Sequence, residues 1–403
     1  MKVRSLTSAV ALTTAALALS GCVSSSSSDS NAAAGSSSAG GGTVTIGVVM
    51  AKSGFMGPID TPALNAMLLE ADAMNKAGGI DGKKIDLQVI DTETKLDRYA
   101  SAASELLAKG AKALVVTCDY DVSSPAALAA QAKNVISIAP CVGDPIFGPS
   151  GGLNLGFSMG DGTPGEASIM AEFAHSKGWD HVTLLTDTTL KYTQNQCAIF
   201  AKRLSDLGGS ITSTYDYAQG DSIKETVSKI AAGPAPQAVI NCGYSPGGAT
   251  AAKELRDGGV TAPIISGFGM DGDFWTSGVP NLKDYYVVTY ASKNGDDPDP
   301  KVNEAADAYQ AAYGERPAVG GFVTGATTLQ AIKAAYESTK SWDGDKMTAA
   351  MEKFDKQDFL AGPTSFTKDL HIAVDRPMRV LQVVNGKLVF VEERTPDKVE
   401  FLQ

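Results

Sequence analysis

The sequence predicts an α/β protein with two mostly parallel sheets, each covered by helices on both faces. Short apolar strands alternate with helical stretches from Thr43 onward, and the alternation starts again near Gly160. Parallel strands need crossover helices between them, so this order is typical of parallel sheets. The chain has 403 residues. The roughly 360 residues after position 42 are enough for two domains, each with its own core.

The first series opens with the strand TVTIGVVM and a glycine-containing loop, AKSGFMGPID. Thr61 is predicted to cap the following helix, with Pro62 at its first position and Gly78-Gly79 at its end. The later elements of this series are the strand KIDLQVID, a helix through YASAASELLAKG, the strand AKALVVTC, another helix and the strand NVISIAP.

The second series repeats the alternation of helix and strand. Its elements are helix GEASIMAEFAHSKG, strand HVTLLTD, helix NQCAIFAKRLSDLG, strand ITSTYDYA, helix SIKETVSKIAA, strand QAVINCG, helix GATAAKELRDGG and strand APIISGF. After the strand DYYVVTYAS the alternation ends, and three successive helices follow. The tail is predicted to be a β-hairpin that turns at Asn385-Gly386. We expect a site where the carboxyl ends of the parallel strands meet.

The amino-terminal residues have the pattern of an export signal. Lys2 and Arg4 precede an apolar run without acidic residues. The stretch Leu19-Ser20-Gly21-Cys22 resembles the lipobox of bacterial lipoproteins, which implies removal of residues 1–21 and a diacylglyceryl group on Cys22. Residues 22–42 are rich in Ser, Ala and Gly, and we expect a flexible tether. The protein is thus predicted to be extracytoplasmic and lipid-anchored to the cell membrane; the alternative is a plain secreted protein with a chance cysteine.

Composition argues against several functional classes. The formal net charge is −11 without any Lys/Arg cluster, so we expect no nucleic-acid partner. No apolar run beyond the signal has the length of a membrane span. The three histidines do not lie at metal-ligand spacing from a cysteine, and we expect no metal site. In an exported chain, two disulfides are favoured for the four later cysteines, which are Cys118, Cys141, Cys197 and Cys242.

Two short motifs are typical of enzymes, but neither has the required surroundings. Gly267–Gly272 matches the dinucleotide fingerprint, yet no helical period follows it, so we expect no cofactor. Gly243–Gly247 matches a nucleophile motif in which Ser245 could pair with His371. The oxyanion hole needs the N–H group after the serine, and Pro246 has none. We expect no catalytic residues, and a Ser245-dependent hydrolase remains the weaker alternative.

The stretch NKAGGIDGKKIDLQVID, residues 75–91, is similar to the signature of periplasmic solute-binding proteins of the Leu/Ile/Val-binding type. SGFMG and APCVGDP occupy matching loop positions. The resemblance implies a monomeric clamp whose two lobes are joined by a three-crossover hinge and close on a small solute, and an ABC permease that recognises the closed form. The implied lobes are residues 43–158 plus 291–364 and residues 159–290 plus 365–403. A ligand-binding ectodomain for a sensory partner uses the same clamp and stays an alternative.

The resemblance also implies which loops of the first lobe hold the solute. In amino-acid-binding relatives, hydroxyls and amides of two such loops hold the ligand carboxylate. Ser123 can keep this role, but Cys141–Asp144 offers no hydroxyl. Asp119, Asp121 and Asp144 add negative charge where a carboxylate needs the opposite. The candidate residues here are Ser53, Tyr120, Asp121, Ser123, Cys141, Val142, Gly143 and Asp144; helix capping is the alternative role for the aspartates.

Four further candidates come from the same resemblance. Tyr192 matches the stacking tyrosine of the family, Tyr244 lies near a second aromatic position, and Phe322 matches a wall residue. The acid that grips the ligand ammonium falls near Gly269, with Asp271 two places on. Without that acid an α-amino acid loses its charge partner, and the aromatic residues have a core role as the alternative. We expect a small polar or amphipathic solute, with branched-chain or other amino acids, amides and aromatic acids as candidates.

The cysteine positions predict two pairs at the rims of the lobes. Cys118 and Cys141 end consecutive strands of the first lobe, so their sulfur atoms can meet. Cys197 and Cys242 flank the matching rim of the second lobe. Such bridges are expected to stiffen the loops that bind the solute.

Overall fold

The structure is a computed structural model that describes residues 41–280 and 282–402. The strands are β1 Thr43–Met50, β2 Lys84–Asp91, β3 Leu114–Val116, β4 Ser137–Ala139, β5 Gly156–Asp161, β6 His181–Asp187, β7 Ser210–Tyr217, β8 Ala238–Cys242, β9 Ile264–Ser266, β10 Tyr285–Thr289, β11 Gln357–Phe359, β12 Gly362–Thr364, β13 Ile372–Ala373, β14 Met378–Val384 and β15 Lys387–Arg394. The helices are α1 Gly57–Lys76, α2 Leu96–Ala108, α3 Tyr120–Gln131, α4 Thr163–Ser176, α5 Lys191–Asp206, α6 Lys224–Ala232, α7 Gly247–Asp257, α8 Pro300–Tyr313, α9 Phe322–Thr339 and α10 Gly344–Met351.

Two large sheets organise the chain into two lobes, which confirms the predicted fold class. The first sheet has the strand order β13-β5-β4-β3-β1-β2, and every pair in it is parallel. The second has the order β15-β14-β10-β9-β8-β6-β7, where only the pairs made by β14 are antiparallel. We call the first sheet and its helices lobe 1 and the second sheet and its helices lobe 2.

Both faces of the first sheet are buried, as parallel sheets require. Ile46 and Val48 pack in one apolar cluster with α1, α9 and α10, whereas Val49 packs in another with α2 and α3. Successive side chains of a strand point to opposite faces, which explains this division. The continuous apolar run of the first predicted strand therefore indicates burial on both sides.

The chain passes between the lobes three times. The passages follow β5, β10 and β13, because β5 and β13 belong to the first sheet whereas β10 and β14 belong to the second. The sequence prediction placed residues 365–403 in lobe 2. However, β13 pairs with β5 in the first sheet, so the third passage begins only after Ala373. A strand of two residues gives no sequence signal, which explains the early boundary.

Two local predictions have different outcomes. The helix predicted to start at Thr61 begins earlier, as α1 at Gly57, and Pro62 lies inside it. Thr61 does not cap this helix, because its hydroxyl faces the Lys52 carbonyl. The hairpin is confirmed: β14 and β15 pair across a two-residue turn, with φ of 51° at Asn385 and 76° at Gly386. Positive φ at both turn residues matches the twist of the flanking strands.

Candidate functional site

A cavity lies between the lobes, at the carboxyl ends of the parallel strands. The centre of a water molecule can occupy about 20 Å³ of it, so the closed lobes leave only a small, narrow space. Lobe 1 contributes Ile59, Cys118, Asp119, Tyr120, Asp121, Cys141, Val142, Gly143 and Asp144. Lobe 2 contributes Lys191, Tyr192, Tyr244, Phe268 and Gly269. These loops follow β3, β4, β6, β8 and β9, which is where open α/β sheets bind ligands.

Asp119 forms the inner acidic wall of lobe 1. It is the N-cap of α3, and its carboxylate accepts a hydrogen bond from the Asp121 N–H at 2.8 Å. Its side chain is 6% exposed. Burial raises its pKa to about 7, and the charge of Asp121 adds to this effect. This carboxyl group therefore changes charge near neutral pH.

A disulfide joins the two loops of this wall. Cys118 and Cys141 are bonded, and Cys197 and Cys242 form the second bridge in lobe 2. Both predicted pairs are thus confirmed. The first bridge holds the ends of β3 and β4 together, so the acidic residues after these strands keep a fixed spacing.

Two aspartates of lobe 1 contact lobe 2 directly. The Asp121 carboxylate accepts a hydrogen bond from the backbone N–H of Lys191 at 2.9 Å. The Asp144 carboxylate accepts one from the Asn195 side-chain amide at 2.7 Å. The cap residue of α5, Leu190, provides no capping side chain, so a carboxylate of the opposite lobe satisfies this helix terminus. The N–H and the hydroxyl of Thr163 in lobe 2 also donate to the Gly143 carbonyl in lobe 1, and these contacts together link the lobes.

Tyr192 is oriented by a buried network within lobe 2. Its hydroxyl donates to Glu166 at 2.8 Å and accepts from the Gly269 N–H at 3.1 Å. Gln196 and the Phe268 N–H also donate to the Glu166 carboxylate. Burial raises the pKa of Glu166 to about 7. With its hydroxyl held, Tyr192 has a fixed position in the cavity lining.

Tyr244 lies in the same wall of lobe 2, where it and Tyr192 flank Gly269. Its ring meets Phe55 of lobe 1 in an edge-to-face contact, with 6.2 Å between the centroids. Its hydroxyl is buried and has no hydrogen-bond partner within the described part of the chain. A buried hydroxyl without a partner has an unmet hydrogen bond, which a bound molecule can supply.

The comparisons with known proteins agree with this geometry. The model of a periplasmic binding protein family matches residues 43–387. The chain belongs to this family. It is 25% identical over 311 residues to Leu/Ile/Val-binding protein homolog 3 of Brucella melitensis, covering 76% of this chain and 82% of the relative. The family implies an extracytoplasmic solute-binding protein.

Solved structures share the fold. The branched-chain amino acid transporter substrate binding protein LivJ from Streptococcus pneumoniae, in complex with isoleucine, has a TM-score of 0.78 at 22% identity; the match covers 88% of this chain and all of that one. An ABC transporter solute binding protein from R. palustris, in complex with benzoate, has a TM-score of 0.73 at 17% identity, covering 89% and 99% of the two chains.

Eight of the twelve predicted ligand-binding residues line the cavity of this periplasmic binding protein. They are Tyr120, Asp121, Cys141, Val142, Gly143, Asp144, Tyr192 and Tyr244. The prediction named Asp119 only for its negative charge in this wall, and it missed Phe268 and the supporting Glu166. The helix GEASIMAEFAHS carries two acids, Glu166 and Glu172, among mostly apolar residues, and this was the available signal for Glu166.

The other four predicted residues lie outside the cavity lining. Ser53 donates to the Asp91 carboxylate at 3.2 Å, and the buried Ser123 hydroxyl points to the Asp119 carbonyl. Phe322 is buried at the start of α9 against Tyr309. Each has a structural role instead: Ser53 fixes a loop, Ser123 bonds within the first turn of α3, and Phe322 packs in the core.

Asp271 has a bracing role and does not replace the family acid. Its carboxylate accepts hydrogen bonds from the Thr289 hydroxyl and the Gly320 N–H, both at 2.7 Å. Thr289 ends β10 and Gly320 precedes α9, so Asp271 ties the two sides of the second passage. The cavity thus lacks the acid at this position that the family resemblance implied.

The nucleophile-like motif of Ser245 has no catalytic geometry in this periplasmic binding protein. The Ser245 N–H donates to the Gly269 carbonyl within lobe 2. The His371 ring stacks on Phe157 of lobe 1 at 3.9 Å and faces the Gly156 carbonyl. The serine and the histidine are thus engaged in different lobes.

Among the described residues, no helix is long and apolar enough to cross a bilayer. The predicted lipid site, Cys22, lies outside these residues.

Proposed function

We propose that the protein is the solute-binding component of an ABC importer, which captures a small polar or amphipathic solute by closing its lobes. The observation that carries the proposal is the interlobe cavity at the carboxyl ends of two sheets joined by three passages. Relatives named for Leu, Ile and Val binding, and fold neighbours in complex with isoleucine or benzoate, support a small organic solute.

Closure follows from contacts that span the cleft. Asp121 and Asp144 bind the amino-terminal turns of α5 in lobe 2, and these bonds exist only when the lobes meet. A solute that contacts both walls stabilises the closed state further and shifts the equilibrium between open and closed lobes toward it. The permease then distinguishes a loaded from an unloaded protein by shape.

Lipid anchoring at Cys22 keeps such a clamp near its permease. Residues 22–42, which separate Cys22 from β1, are rich in Ser, Ala and Gly. Cys22→Ser is expected to move the protein from the membrane fraction to the medium. Continued sedimentation of the variant with membranes argues against the anchor.

The test combines binding with a measurement of shape. Residues 41–403 are screened by thermal shift against a solute library that spans anions, cations, zwitterions and neutral compounds. A ligand at 100 times its Kd stabilises the folded state by about 2.7 kcal/mol. The same ligand is expected to reduce the radius of gyration in small-angle scattering, because it favours closed lobes.

A wedge variant links the two measurements. An added Cβ at Gly143 comes within 3.0 Å of Thr163 and Tyr192 of lobe 2, so Gly143→Val is expected to prevent closure and binding while lobe 1 stays folded. Gly278 is the matched control, because a Cβ there meets nothing within 4 Å. A chain that binds no solute, and keeps one radius of gyration under all conditions, contradicts the proposed function.

A further inference from the structure

The geometry points to a small organic cation as the solute, an amine without a carboxylate, whose ammonium group lies between Asp119 of lobe 1 and Tyr244 of lobe 2. This inference rests on the proposed function and names the class of solute. It departs from the amino acids suggested by the family resemblance, and the reasons lie in the charges and hydrogen bonds of the cavity.

The cavity carries an excess of negative charge. Three of its lining residues are aspartates, and Lys191 is the only lining residue with a cationic side chain. Asp121 and Asp144 already accept hydrogen bonds from lobe 2. Asp119 differs from them: its donors are N–H groups of its own helix, and it forms no ion pair with any described residue. A buried carboxylate without a partner cation is a site for one.

Tyr244 provides an independent indication from the other lobe. Its side chain is 5% exposed, and its hydroxyl finds no hydrogen-bond partner among residues 41–280 and 282–402. Burial raises the pKa of this hydroxyl, and the charges of the fully buried Asp60 and of Asp119 add to this effect, so both carboxylates lie near it. The oxygen of Tyr244 can accept a hydrogen bond from an ammonium that also donates to Asp119. One cationic group thus meets the needs of both walls.

The remaining lining favours an amine with an apolar body. The rings of Tyr120, Tyr192 and Phe268 line the cavity with Tyr244, and aromatic faces attract cations. Ile59 adds an aliphatic surface. Such walls bind an apolar body by burial of its surface.

A ligand carboxylate lacks a suitable hydrogen-bond donor beside Asp119. The Ser123 hydroxyl, the expected donor, is bonded to the Asp119 carbonyl. A negative ligand group comes beside three aspartates, and like charges in a buried site repel strongly. For this reason anions and zwitterionic amino acids are expected to bind more weakly than the matching amine.

Four probes with a common branched skeleton test the charge directly. They are 3-methylbutylamine, leucine, 3-methylbutanamide and 3-methylbutanoate, titrated at pH 8 by calorimetry, with a series of primary amines up to 2-phenylethylamine alongside. The amine that binds best is expected to have a Kd at least 100-fold below those of leucine and the acid. If leucine, the amide or the acid binds as well as every amine, the cation inference is overturned while the proposed function stands. If nothing in the panel or in the wider library binds, both fail.

Variants assign the effect to the two groups. Asp119→Asn keeps an oxygen that caps α3 but removes the charge, so the affinity for the amine is expected to fall at least 30-fold and the preference for amine over amide to disappear. Asp299→Asn is the matched control, because Asp299 caps α8 through the same type of bond, to the Lys301 N–H. Tyr244→Phe removes no hydrogen bond among the described residues; amine affinity is expected to fall 3- to 10-fold with an unchanged melting temperature. Unchanged amine affinity in Asp119→Asn overturns the inference.

Discussion

The buried Glu166 makes the stability of lobe 2 depend on pH. Burial raises its pKa from 4.5 to about 7 in the folded protein, because desolvation disfavours the carboxylate. A carboxyl group with a raised folded-state pKa stabilises the protein below its unfolded pKa, and this contribution is lost as the pH rises through the folded value. The stability attributable to Glu166 is therefore present at pH 4 and gone at pH 8.

The magnitude follows from the two pKa values. Between pH 5 and pH 8 a group that moves from 4.5 to about 7 contributes about 2.5 kcal/mol to the change in the free energy of unfolding. Glu166→Gln removes the titration but keeps an acceptor for the Phe268 N–H. The stability of the variant relative to the wild type is thus expected to increase by about this amount between the two pH values.

Urea unfolding, followed by far-ultraviolet circular dichroism at pH 5 and pH 8, measures this difference. Glu304→Gln, on the exposed face of α8, is the control and is expected to change little. A Glu166→Gln variant whose stability relative to the wild type is the same at both pH values refutes the account of Glu166 as a buried, titrating carboxyl. So does a change of the opposite sign.

Three further predictions concern the cavity. Replacing Cys118 and Cys141 by Ser removes a bridge with a sequence separation of 23 and is expected to cost about 3 kcal/mol in urea unfolding; unchanged stability argues against a role of this bridge in the fold. Asp121→Ala removes the bond to the Lys191 N–H. It is expected to weaken solute binding about fivefold, or about 1 kcal/mol, and to increase the radius of gyration; a change in neither contradicts the role in closure. The Kd of the amine is expected to be about 30 times higher at pH 5.5 than at pH 8, because Asp119, with a pKa of about 7, must lose its proton to bind a cation. Titration calorimetry of the wild type and of Asp119→Asn at both pH values tests this. If the pH dependence persists in the variant, it belongs to other titratable groups near Asp119, which are Asp60, Tyr99, Asp121, Asp144, Lys191 and Tyr244.

The fold was largely predictable because its signals are local. Buried parallel strands are apolar runs, and helices between them have caps and stops within a few residues, so β1, α4 and β8 are evident in the sequence. The hairpin turn needs only Asn385-Gly386. In contrast, β13 is a strand only because it pairs with β5, more than two hundred residues earlier. No local pattern marks such an element, and the third passage was therefore placed too early.

The site was predictable in position but not in chemistry. Strand ends place Tyr120, Asp144 and Tyr192 at the cavity, since topology alone determines where these loops meet. The role of Glu166 depends on the Phe268 N–H, which is 102 residues away. Asp271 shows why a residue's role cannot always be transferred from a family resemblance. It lies two residues after the position of the family acid, and its carboxylate is already bonded to Thr289 and Gly320.

The placement of the three aspartates connects the charge of the solute to closure. Asp119, Asp121 and Asp144 all belong to lobe 1, and Asp121 and Asp144 bind lobe 2. Closing the lobes therefore removes water from around three carboxylates whose spacing is already fixed. Their repulsion in a medium of low dielectric constant raises the free energy of the closed form unless a proton or a cation compensates for it. The proposed ammonium can contact both Asp119 and Tyr244 only in the closed form, because these residues belong to different lobes. Its stabilising effect on the carboxylates is therefore complete only when the lobes are closed. The same charge that selects the solute therefore stabilises the closed state over the open one.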